Sequence, residues 1–151
     1  MPEADDRIDV QYAITAEGIP APDVVRHWVE CALQDQRPAA ELAVRIVDEA
    51  GITALNRQYR GKDGATNVLS FPYEDMPGVA TGQLGDIVIC APVVAAEAVA
   101  QGKTLEAHWA HIVIHGVLHL LGHDHHRDTE AREMETLEIR LLADLGFPDP
   151  Y

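Results

Sequence analysis

The run His115-Gly-Val-Leu-His119-Leu-Leu-Gly122-His-Asp-His125 constrains this chain more than any other stretch. On a helix, positions four apart lie one above the other on the same face, so His115 and His119 can bring two imidazoles to one point from a rigid support. Gly122 then ends the helix, because without a Cβ it adopts the left-handed conformation at little steric cost. The chain turns back, and His125 can add a third nitrogen. Three neutral imidazoles with an open fourth position make up a catalytic zinc site rather than a closed structural one. Two histidines at this spacing would be weak support alone, since a helix can simply carry surface histidines. The glycine break and the third histidine favour a Zn²⁺ ion, one per chain.

The remaining histidines are read more modestly. His108 and His111 continue the same helical face and are expected to line a cleft or stand behind the ligands. His123 and His126 are read as surface residues, and Asp124 either orients a ligand or is an ordinary loop aspartate. The spacing HxxxHxxGxxH is also that of metzincin peptidases. Their general base follows the first histidine, however, and here that position is Gly116. A zinc peptidase therefore stays as an alternative that lacks its base.

Around this run the hydrophobic pattern alternates between the two periods of secondary structure. Ile8, Val10, Tyr12 and Ile14 alternate as a strand, and Leu42, Val44 and Ile46 as a second. Asn67–Phe71, stopped by Pro72, and Leu84–Cys90 read as two more. Pro22 opens a helix to about Gln36 with Val24, Val25, Trp28, Val29, Ala32 and Leu33 as its apolar stripe. Further helices are expected over 49–59, 93–100 and from the Thr104 cap to about Leu121. The last runs over 128–145, with Met134, Leu137, Leu141 and Leu142 inward. Glu74–Gly82 reads as a loop. The order β-α-β-α-β-β-α-α-α predicts an α/β (α+β) fold: a mixed four-stranded sheet with helices largely on one face.

With 151 residues, 47% of them apolar, the chain has the size and composition of one globular domain, read as 1–151. Cys31 and Cys90 form no CxxC pair and are expected to be buried free thiols. The N-terminal MPEADDRIDV has neither the basic nor the apolar region of a signal peptide, and no apolar run is long enough to span a membrane. A cytoplasmic location without membrane contact is the expectation; the oligomeric state is not legible.

Eleven Lys and Arg stand against 25 Asp and Glu, for a net charge of −14. Nucleic-acid binders usually carry a basic surface, because neutralised phosphates supply much of the affinity. Yet Arg57, Arg60 and Lys62 fall close together in Leu55-Asn-Arg57-Gln-Tyr-Arg60-Gly-Lys62-Asp-Gly-Ala-Thr-Asn-Val-Leu-Ser-Phe71-Pro. Taken with Leu84-Gly-Asp86-Ile and the histidine run, this segment gives three ordered motifs over roughly residues 55–125. In these motifs the chain resembles the YbeY family of bacterial rRNA-maturation endoribonucleases.

The resemblance implies a zincin-like α/β fold and a cytoplasmic, single-strand-specific endoribonuclease. Its members act in 16S rRNA 3′-end maturation and in ribosome quality control, which implies rRNA and the small ribosomal subunit or its assembly factors as partners. Their metal-binding histidines match His115, His119 and His125, and their functional arginine matches Arg60. Arg57 and Lys62 are candidates for flanking phosphates. The strong acidity departs from what RNA binding suggests. A non-catalytic ribosome-assembly factor, using the histidines for structure only, is a further alternative.

Overall fold

The computed structural model describes residues 7–73, 83–123 and 128–151. Its elements follow the expected order: β1 (Ile8–Tyr12), α1 (Pro22–Leu33), β2 (Glu41–Val47), α2 (Glu49–Arg60), β3 (Val68–Pro72), β4 (Gln83–Cys90), α3 (Ala91–Gln101), α4 (Leu105–Leu120) and α5 (Asp128–Asp144). The sheet order is β1-β2-β4-β3. β1 and β4 both pair parallel to β2, and β3 closes the sheet antiparallel to β4. The mixed four-stranded sheet is thus as expected. The expected loop over 74–82 and the residues His125 and His126 lie outside the described residues.

Strand alternation sorts the side chains into two cores of unequal size. Leu42, Val44, Ile46, Ile87 and Ile89 face the larger one, together with α1, α4 and α5. Val47, Leu69, Val88 and Cys90 face the smaller one, where Ile52 of α2 packs. Helices therefore do lie largely on one face, with α2 on the other. Helix α4 runs through the middle of the larger core, and residues from Trp109 to Leu120 are buried around almost its whole circumference. A helix apolar on all sides is stable only inside a protein. Each fully buried aliphatic side chain contributes roughly 1.5–3 kcal/mol, so α4 is a stiff mount for whatever it carries.

Element ends follow local chemistry. Thr104 caps α4 as expected, its hydroxyl accepting from the Ala107 amide at 3.2 Å. Helix α1 stops at Leu33, short of Gln36, and Val24 is 37% exposed instead of belonging to its buried stripe. Cys90 is buried, whereas Cys31 is only half-buried; both are free. Gly85 has φ +148°, and a Cβ there would lie 2.1 Å from the Phe71 carbonyl oxygen. That close approach of β3 is the physical reason for glycine in the Leu84-Gly-Asp86 motif.

Candidate active site

Helix α4 carries His115 and His119 on the part of its surface that is not wholly covered. Their Nε2 atoms face each other at 3.1 Å. Two nitrogens on one tetrahedral zinc at bonds of about 2.05 Å stand about 3.3 Å apart, so this separation suits a shared cation. Past Leu120 the helix ends as foreseen. Gly122 takes φ +98° and its amide donates to the His119 carbonyl, while the His123 amide donates to that of Leu118. His123 itself bonds to Gln36.

The other ring nitrogen of His115 is held from behind. Its Nδ1 lies 2.5 Å from Oε1 of Glu138, whose side chain is fully buried on α5. His111 stands 3.5 Å from the same oxygen, and the Tyr151 hydroxyl donates to Oε2. Burial by itself raises a carboxyl pKa, but the bonds from His111, His115 and Tyr151 outweigh it and hold Glu138 at about 2. Tyr151 is pushed up in turn, by burial and by the carboxylate beside it. Glu138 is therefore a carboxylate, and a carboxylate only accepts. The His115 proton then sits on Nδ1, leaving the Nε2 lone pair toward His119.

His111, His115 and Glu138 also bring one ligand atom each within 4.8 Å of one another. This inner group is buried and already joined by hydrogen bonds, whereas the two Nε2 atoms border an open cleft. His108 and His111 are both buried, and neither is among the cleft's described lining residues.

The cleft has a volume of about 670 Å³ and lies between the end of α2, the edge strand β3 and α4. Arg60, Thr66, Asn67, Ser70, His115 and His119 all line it. Buried Asn56 donates to the Gly64 carbonyl at 3.0 Å, pinning the turn that follows Arg60. Arg57 does not line the cleft; its guanidinium pairs with Asp63 at 3.1 Å on the surface. Lys62 is exposed on the same turn, also outside the cleft lining. Gly116 faces the sheet, and a Cβ there would lie 2.9 Å from Ile87 Cγ2. The position that holds the peptidase glutamate thus has no room for one. Among the described residues no carboxylate lines the cleft.

Comparison with known proteins agrees with this architecture. The family described as Endoribonuclease YbeY matches residues 12–146. The chain belongs to the YbeY endoribonuclease family. A solution structure of TM1509 from Thermotoga maritima superposes with a TM-score of 0.66 at 28% identity, covering 91% of this chain and 88% of that one. Membership in the YbeY family makes the chain an RNA-cleaving hydrolase of a family that processes rRNA, and sets the peptidase and non-catalytic readings aside. No helix among the described residues is long and apolar enough to cross a membrane.

Two residues behind His115 in this YbeY-family chain, Glu138 and Tyr151, are not apparent from motif spacing. Glu138 leaves one trace: it lies four residues from both Met134 and Leu142, on the stripe that α5 buries. A charged residue on a buried stripe requires a partner. Tyr151 leaves no comparable trace, because only the tertiary fold brings it to Glu138.

Proposed function

We propose that the chain is a Zn²⁺-dependent, single-strand-specific endoribonuclease that acts in 16S rRNA 3′-end maturation and ribosome quality control. The observation that carries this reading is the facing pair of His115 and His119 nitrogens on the wall of a cleft that Arg60 also lines. His115, His119 and His125 would hold the ion, and a cation bound there would supply Lewis-acid chemistry toward a phosphoryl oxygen or a water. Glu138 fixes the His115 ring, and orientation by a carboxylate behind a ligand is a common support for zinc. Arg60 presents a planar fork of donors to the scissile phosphate and stabilises charge developing on it. Arg57 and Lys62, outside the cleft on the adjoining surface, meet flanking phosphates. The small ribosomal subunit or its assembly factors present the RNA, in the cytoplasm.

Metal analysis and RNA cleavage on one purified sample test this. We expect about one zinc per chain, sharply lower occupancy in His115→Ala, His119→Ala and His125→Ala, and normal occupancy in His126→Ala. Arg60→Ala keeps the metal and loses cleavage, with partial rescue by Arg60→Lys because a point charge does not replace the fork. Full metal retention in His125→Ala, or full cleavage by Arg60→Ala, removes that residue from the site.

A further inference from the structure

The cleft floor contains an amide whose orientation is set from outside the site. Asn67, at the entry to β3, lines the cleft, and its Nδ2 donates to both carboxylate oxygens of Glu97 on α3, at 3.1 and 3.3 Å. Glu97 is anchored in turn by His108 Nε2 at 3.0 Å. His108 is 2% exposed, and its Nδ1 is buried with no partner among the described residues. A proton on that nitrogen would be stranded, so Nε2 carries the hydrogen and donates it to Glu97. Burial also pushes the His108 pKa down, against the pull of Glu97, which favours this neutral tautomer.

The consequence for Asn67 is geometric. A carboxylate accepts only, so the amide presents NH₂ to Glu97 and turns Oδ1 away from it. That oxygen has no partner among the described residues, and it is not one of the buried, unsatisfied atoms. It is therefore accessible, on a residue that lines the cleft. Ser70 adds to the same polarity: its hydroxyl donates inward to the Gly116 carbonyl at 3.1 Å, leaving an acceptor oxygen on a cleft-lining residue. The β3 side of the cleft thus offers neutral acceptors, opposite in character to Arg60. Neutral acceptors recognise hydroxyl and amino donors rather than phosphate, and the hydroxyl that separates RNA from DNA is the ribose 2′-OH.

We propose that Asn67 Oδ1 accepts a hydrogen bond from a ribose 2′-hydroxyl of the bound strand, and that Glu97 and His108 are positioning residues that keep this oxygen toward the cleft. Asn67 is then a specificity residue, selecting ribose over deoxyribose independently of the metal ligands. The inference rests on the reading of the cleft as an RNA site.

The test is binding of fluorescent oligouridylate and oligodeoxyuridylate of equal length to the wild-type protein, Asn67→Ala and Glu97→Gln. Anisotropy is read before cleavage proceeds, with cleavage of the same oligouridylate followed separately. A neutral hydrogen bond corresponds to a preference for the ribose strand of about three- to tenfold in the wild-type protein. Asn67→Ala brings that ratio toward one while affinity for the deoxyribose strand stays unchanged. Glu97→Gln does the same although Asn67 is present, because an amide at 97 lets the Asn67 amide turn over. An unchanged ratio in Asn67→Ala overturns the proposal, and so does an equal loss for both strands, which marks the Asn67–Glu97–His108 tie as structural support only. If the wild-type protein cleaves the oligouridylate but the ratio ignores both variants, the ribonuclease reading survives and the Asn67 assignment fails. If it neither binds nor cleaves that strand, both fail.

Discussion

His115 and Glu138 stand 23 residues apart in sequence, yet Nδ1 of the one lies 2.5 Å from Oε1 of the other. The contact joins α4 to α5, and it engages Nδ1 of His115 while Nε2 faces His119. Glu138→Gln keeps the volume but weakens the acceptor and loses the charge. Metal affinity should fall about ten- to a hundredfold, the usual effect of removing a ligand's supporting partner. Titration against a chromophoric chelator measures it, and an unchanged affinity would show that the His115 ring is held by packing alone.

Gly85 is the position where the sheet is least tolerant. Alanine there would combine a φ of +148° with a Cβ 2.1 Å from the Phe71 carbonyl oxygen, so β3 must move away from β4. Gly85→Ala should cost about 2–4 kcal/mol in urea unfolding, as strain and a backbone collision together. Because β3 is also a cleft wall, cleavage should drop in whatever fraction stays folded. Stability within error of wild type would mean that the two strands separate freely here.

His108 gives a pH dependence with a definite sign. Its pKa is lowered from 6.5, chiefly by burial, so between the folded value and 6.5 the unfolded chain binds more protons than the folded one. The stabilisation is fully present above about pH 6.5 and is lost as pH falls through the folded value. Thermal midpoints measured downward from pH 7.5 should therefore decline, and His108→Gln should flatten part of that decline. An identical pH profile in the variant would refute a neutral buried His108.

The acidic surface leads to weak, shallow electrostatics with free RNA. Of the basic cluster, Arg60 lines the cleft while Arg57 is paired with Asp63. Each neutralised phosphate on a single strand contributes about −0.7 to the slope of log K against log salt, so the slope should be no steeper than about −2. Cleavage of naked RNA should then be slow and indiscriminate, with selectivity supplied by the assembly that presents the strand. A steep slope would reveal a basic surface involving residues beyond Arg57, Arg60 and Lys62.

How much of this was legible in advance depends on the range of the interaction. His115, His119 and Gly122 were readable because helix period and glycine conformation are local. The order of the elements among the described residues, the Thr104 cap and the inward face of Leu42, Val44 and Ile46 as alternating strand positions were readable for the same reason. Val24 shows the limit even at short range: periodicity allowed it into the apolar stripe, but the neighbours of α1 leave it exposed. The strand order β1-β2-β4-β3, the placing of α2 against the smaller core, and the distance between Arg60 and Arg57 in role were all decided by tertiary packing. So were the pairings Glu138–His115, Tyr151–Glu138 and Asn67–Glu97, the last joining residues 30 apart. Periodicity records only which side of an element is buried. The partner of a buried polar group is chosen by whichever donor or acceptor the folded chain brings within about 3 Å, and no local pattern encodes that.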